Sequence, residues 1–113
     1  MQVQDLFSLK GKVALVTGGG RGIGKFIATG LAEAGADVII SSRKIGNLEK
    51  TAAEIETQCS VRALAVACDL AKEEDIERLV KTSLEQFSRI DILVNNAGIT
   101  WGAPTLDFPL ERW

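Results

Sequence analysis

The sequence predicts an α/β protein built on a parallel sheet wound on both faces. Three observations predict it. Four short apolar runs, at residues 13–16, 38–40, 61–68 and 92–94, alternate with stretches whose apolar residues recur every three or four positions. That is the pattern of strands joined by crossover helices. The second run, Val38-Ile39-Ile40, is continuous rather than alternating, as in a strand covered on both sides. Between the first run and the first helical stretch stand Gly18, Gly19, Gly20, Gly22 and Gly24. A strand–turn–helix junction of this kind aims free backbone N–H groups and the positive end of a helix dipole at one point, which suits a phosphate.

Taken in order, residues 1–11 form a lead-in whose Phe7 and Leu9 pack on the domain edge, and residues 13–16 form the first strand. Ile23, Ile27 and Leu31 mark a helix over 22–34 that stops at Gly35, a residue suited to a helix C-terminus. Gly30 inside that helix costs ~1 kcal/mol relative to alanine, which predicts close packing on the sheet as compensation. The second strand is 37–42. Asn47 is a candidate N-cap for a helix whose stripe is Leu48, Ala52 and Ile55, ending near Gln58. The third strand, 61–68, is small and apolar except for Arg62, and Asp69-Leu70 is a turn. Ile76, Leu79, Val80, Leu84 and Phe87 give the clearest amphipathic helix, with Glu73, Glu74 and Asp75 near its start, where acids suit the dipole. The fourth strand is 91–94. Residues 99–110 read as irregular, and 111–113 as the start of another helix. Right-handed crossovers place helices on both faces; in a doubly wound sheet the strand order would be 3-2-1-4, with ligand at the carboxyl edge near the switch between strands 1 and 4.

Composition narrows the partners. A chain of 113 residues is sized for one small domain. Its net charge of -2 gives no general attraction to nucleic acid or membranes, and no apolar run approaches the ~20 residues of a membrane span. The N-terminus lacks the basic and apolar regions of a secretory signal, so the cytoplasm is expected. Without histidine, and with Cys59 and Cys68 too far apart for a C-x-x-C pair, neither a zinc site nor a disulfide framework is expected.

The glycines do not fit the G-x-G-x-x-G dinucleotide fingerprint in any register. They fit T-G-x-x-x-G-x-G, through Thr17, Gly18, Gly22 and Gly24. Asp69 follows the third strand, and Asn95-Asn96-Ala97-Gly98 follows the fourth. These three features, in this order, resemble the classical short-chain dehydrogenase/reductase family over most of the chain. The resemblance implies a Rossmann-like doubly wound parallel sheet, truncated after strand 4. Residues 1–113 would then be the incomplete N-terminal, dinucleotide-binding part of a single Rossmann-type domain. It also implies that Thr17, Gly18, Gly20, Arg21, Gly22, Ile23 and Gly24 hold the cofactor's pyrophosphate side. By the same resemblance Asp69 and Leu70 hold the adenine end, and Asn95, Ala97 and Gly98 shape the turn beside the adenosine ribose. Asp69 can equally serve as an acid before a helix.

The end of the second strand discriminates cofactors. An acid there would bind a ribose 2′-hydroxyl and favour NAD. Ser42 and Arg43 stand there instead. Arginine can bond a 2′-phosphate and stack on adenine, and Arg21 supplies a second cation. The combination resembles family members that use NADP(H) in preference to NAD(H); the alternative is that these are solvated surface charges.

The family's reaction moves hydride between nicotinamide and a carbonyl or alcohol carbon. It needs a serine and a Tyr-x-x-x-Lys pair, which in the family lie beyond strand 4. The chain has no tyrosine, so no catalytic residue is assigned within it. The resemblance extends to 3-oxoacyl-carrier-protein reductases and to sugar-acid and related carbonyl reductases. It implies a small carbonyl or alcohol substrate and a dimeric or tetrameric complete enzyme. Trp101 and Pro104 either border the substrate mouth or serve packing. The rival expectation is a catalytically inactive nucleotide-binding or dimerising fragment or isoform.

Overall fold

A computed structural model describes residues 8–18 and 22–96. Their elements are β1 (Val13–Thr17), α1 (Gly22–Glu33), β2 (Asp37–Ser42), α2 (Ile45–Cys59), β3 (Ala63–Ala67), α3 (Glu73–Phe87) and β4 (Ile92–Asn95). Expectations for Phe7, Gly20, Arg21, Ala97, Gly98, Trp101, Pro104 and the helix over 111–113 lie outside the described residues.

The strands form one parallel sheet in the order β3-β2-β1-β4, the order expected of a doubly wound sheet. Alternation along β1 and β2 sends side chains to two separate cores. Ala14, Val16, Val38 and Ile40 pack with Ala28 and Ala32 of α1 and with Leu48, Ala52 and Ile55 of α2. Val13, Leu15 and Ile39 pack on the opposite face with Val66 of β3, with Leu70 of the turn that follows it and with Leu79 of α3. All three apolar residues of the β2 run are fully buried, which is why the run is continuous. The face that α1 turns to the sheet is built of Gly24, Ala28 and Ala32, so helix and strand backbones approach closely.

Gly35 ends α1 as predicted. It has φ +107, and its N–H donates to the Ala32 carbonyl while that of Ala36 donates to Leu31. This is the left-handed cap that glycine adopts without a Cβ penalty. Gly30 corrects an expectation: it lies on the exposed side of α1, where a Cβ would meet nothing within 4 Å. No packing against the sheet compensates it. Asn47 is not the cap of α2. The Ser42 hydroxyl accepts the Lys44 N–H at 3.3 Å and donates to the Lys44 carbonyl at 2.9 Å, turning the chain directly after β2. Lys44 therefore becomes the N-cap residue, without a side-chain cap, and Asn47 sits inside the first turn. The third strand is shorter than predicted. Arg62 lies just before it, its guanidinium 4.4 Å from the Phe87 ring centroid and bonded to the Gln86 carbonyl at 3.1 Å. The one charge in that apolar run thus ties the start of β3 to the end of α3.

The same edge of the sheet is pinned at β1 and β4 by Asp91. Its Oδ2 accepts the Val13 N–H at 2.8 Å, its own N–H donates to the Val13 carbonyl at 2.8 Å, and Oδ1 accepts from Arg89 at 2.6 Å. The Arg89 hydrogen bond, followed by the Val13 N–H, holds the carboxyl below its ordinary value of 3.8. A carboxyl depressed in the folded state contributes stability above its unfolded pKa and loses it as pH falls through the folded one. The melting temperature of the wild type should therefore exceed that of Asp91→Asn by a constant margin above about pH 5, and the margin should shrink below about pH 4. Melts across that range check this; a margin independent of pH contradicts it.

Candidate functional site

In a parallel sheet all strand C-termini share one edge. Thr17 stands opposite Ser41 and Asn95, and Ser42 opposite Ala67. Bonds past the ladder continue the alignment: the Gly18 N–H donates to Ser41 at 2.6 Å, and the Cys68 N–H to Ser42 at 2.8 Å. The segments led by Gly18, Arg43, Asp69 and Asn96 thus leave the sheet side by side, as the sequence predicts.

Thr17 locks β1 to β4 at this edge. It is only 3% exposed. Its Oγ1 accepts the Asn96 N–H at 3.0 Å and lies 2.9 Å from Asn95 Oδ1 and 3.3 Å from the Val94 carbonyl. The hydroxyl therefore ties the end of β1 to the end of β4 and to the turn that follows it.

The turn itself demands glycine at three described places, for two different reasons. Gly18 and Gly22 have φ +70 and +63, conformations that cost a residue with a Cβ roughly 1–2 kcal/mol. Gly24 is needed for room. A Cβ there would overlap the Gly18 carbonyl and lie 2.9 Å from Asn96 Nδ2. The first turn of α1 is thereby drawn against the end of β1. The first N–H groups of any helix lack intrahelical acceptors; here Gly22 and Ile23, which carry them, are exposed, Ile23 to 70%. A helix start that carries Gly22 and Gly24 and draws close to the end of β1 suits a dinucleotide pyrophosphate.

Ser42 is half-buried, with its hydroxyl occupied at Lys44; Arg43 beside it is exposed. Asp69 is half-buried and Leu70 is buried beneath it. The Asp69 carboxylate accepts the Ala71 N–H at 3.0 Å, so it shapes its own turn. Asn95 is exposed and engages Thr17. Gly20, Arg21, Ala97 and Gly98 lie outside the described residues. The sequence reading omitted Asn96, whose backbone is held by Thr17 and whose side chain lies against Gly24. Its place as the second asparagine of N-N-A-G was the signal available. Among the described residues, no group of three or more His, Cys, Asp or Glu is placed to hold a metal, and no helix is long and apolar enough to cross a membrane.

An open parallel sheet with a glycine turn at its central strand, beside the switch in strand order, defines a dinucleotide-binding α/β protein. Comparison narrows the class: the profile of the short chain dehydrogenase family matches residues 12–113, and the chain belongs to that family. It is 45% identical over 107 residues to the rhamnolipids biosynthesis 3-oxoacyl-[acyl-carrier-protein] reductase of Pseudomonas aeruginosa, covering 95% of this chain and 41% of that protein. The solved RhlG/NADP active-site complex from the same organism superposes with a TM-score of 0.77 at 44% identity, over 88% of this chain and 39% of the other. L-sorbose reductase from Gluconobacter frateurii, complexed with NADPH and L-sorbose, gives a TM-score of 0.80 at 36% identity, over 95% and 41%. The chain thus spans about two fifths of the length of the relatives it matches.

Two glycines of one helix should respond to alanine with opposite signs. Gly24→Ala drives a methyl into backbone and should cost about 1–3 kcal/mol. Gly30→Ala places one in open space and should gain about 0.5–1 kcal/mol. Denaturant midpoints of both variants check this; a neutral Gly24→Ala would contradict the close approach.

Proposed function

We propose that this chain is the N-terminal, cofactor-binding part of a single Rossmann-type domain of an NADP(H)-dependent oxidoreductase. The parent enzyme moves hydride between the nicotinamide and a carbonyl or alcohol carbon of a small substrate. The observation that carries the cofactor choice is the end of β2. Ser42 there is neutral, its hydroxyl is taken up by Lys44, and the next residue is the exposed cation Arg43. An acid at this place would repel a 2′-phosphate; an arginine can bond it through two parallel N–H groups. The solved relatives described above as NADP and NADPH complexes support the same reading.

The nicotinamide, when bound, supplies or accepts the hydride. The work of these residues is to hold and orient it. Gly18, Gly20, Gly22, Ile23 and Gly24 offer backbone N–H groups and room to the pyrophosphate. Arg43, with Arg21, offers cations to the 2′-phosphate. Asp69 and Leu70 border the adenine, and Asn95, Ala97 and Gly98 the adenosine ribose. The 113 residues contain no tyrosine, so the proton-handling phenol that the family resemblance implies is not among them and no residue here is given a catalytic role. The alternative reading is a catalytically inactive nucleotide-binding or dimerising module. A cytoplasmic, homo-oligomeric enzyme is the setting the first reading implies.

Arg43→Ala should weaken NADPH about tenfold, the effect of one charge-assisted bond discounted for exposure, and leave NADH nearly unchanged. Fluorescence titration with both nucleotides checks this. Equal weakening of both would remove the phosphate-reading role.

A further inference from the structure

One flank of α3 carries apolar side chains that no described element covers. Leu79 is buried against the sheet. Arg78 and Val80 lie about 100° round the helix from it, on opposite flanks. Arg78 donates to the Ala67 carbonyl at the end of β3, so Val80 and, one turn on, Leu84 face the β4 side. They are 40% and 45% exposed. Leu93 supplies a floor beside them. It stands opposite Leu15 in the ladder, and Leu15 belongs to the core beneath α3. Leu93 therefore points to the same face of the sheet, where it is 48% exposed. Among the described strands β4 pairs only with β1. Helix flank, strand and open edge form an apolar groove that starts at Ile76 and is rimmed by Glu77, Lys81 and Glu85.

We infer that residues 106–113 of this chain, which lie outside the described residues, dock in this groove and cover the β4 side of the sheet. Reach allows it. The chain leaves β4 at the carboxyl edge, where the turn before α3 also lies, so it arrives at the Ile76 end. Residues 97–105 can span about 30 Å when extended, against about 12 Å of helix from Ile76 to Leu84. Composition favours it: Leu106, Phe108, Leu110 and Trp113 put four large apolar side chains into eight residues. Burying them against Val80, Leu84 and Leu93 removes apolar surface of both partners from water. The order of charges sets the direction. From the Ile76 end the rim presents Lys81 before Glu85, and the segment presents Asp107 and Glu111 before Arg112. Laid along the groove in that direction, its acids meet Lys81 and Arg112 meets Glu85. The contact does not depend on which cofactor the opposite site takes.

The test uses the full 113-residue chain. Trp101→Phe leaves Trp113 as its one tryptophan. Acrylamide quenching of that fluorophore is measured at several protein concentrations, with circular dichroism on every variant. In the Trp101→Phe background quenching should be severalfold weaker than in denaturant, at every concentration. Leu84→Asp places a charge on the groove wall and should raise quenching to the denatured value. Lys81→Glu, at an exposed rim position, should raise it part of the way, and adding Glu111→Lys should restore protection. A general loss of stability would not be repaired by that second change. Three results overturn the proposal. Trp113 is quenched as freely as in denaturant; its protection ignores both Leu84→Asp and Lys81→Glu; or protection appears only at high concentration, which would make a second copy the occupant. Should Leu84→Asp lose its helical signal, Lys81→Glu and its rescue decide.

Discussion

The buried hydroxyl of Thr17 is the contact on which the site depends. It accepts the Asn96 N–H and reaches the Asn95 side chain from the last residue of β1. The two strands on either side of the topological switch are thereby fixed at their C-terminal ends, where the sheet turns from ladder to loop. Gly24 depends on the same junction, because the space it leaves is bounded by the Gly18 carbonyl and by Asn96. A threonine, a glycine and an asparagine from three elements thus set one distance, that between the head of α1 and the sheet edge. Exposed donors at a fixed separation from a rigid edge are what a pyrophosphate needs; mobile donors would lose part of their binding free energy to ordering.

The rest of the fold serves that edge. Two separate cores, one under α1 and α2 and one under α3, leave no polar face on β1 or β2. The paired ends opposite the site are tied by Asp91 to Val13 and by Asp37 to the Arg62 N–H at 2.9 Å. Registers are therefore set at one end of the sheet and exploited at the other. Among the described residues, apolar side chains remain uncovered on the outer strand and on helix flanks: Leu93 at 48%, Leu84 at 45% and Phe26 at 81%.

Much of this was legible in the residues. Strand–helix alternation declared the parallel sheet, the doubly wound expectation supplied its strand order, and the continuous Val38-Ile39-Ile40 run declared a strand buried on both faces. The carboxyl-edge gathering of Thr17, Ser42, Asp69 and Asn95 followed from parallel strands alone. What was not legible depended on side chains reaching across turns. Ser42 folds back on Lys44 and starts α2 before Asn47 can cap it. Gly30 points outward, although a glycine in a helix reads equally as close packing. Asn96 acts through a backbone contact with Thr17, which sequence reasoning had already singled out. Its own type, an amide in a turn, carried a local explanation that sufficed without the site.

The central claim is that the carboxyl edge of this sheet, opened by the glycine turn, receives the cofactor. Amide chemical shifts of the 15N-labelled protein, followed while NADP+ is titrated, test it most directly. The account predicts saturable shifts gathered at Gly18, Gly22, Ile23, Gly24, Arg43, Asp69 and Asn96, with little change at Gly11, Gly35, Arg62 and Asp91 on the opposite edge. Shifts centred on that opposite edge, or on the outward faces of α1 and α3, would contradict it.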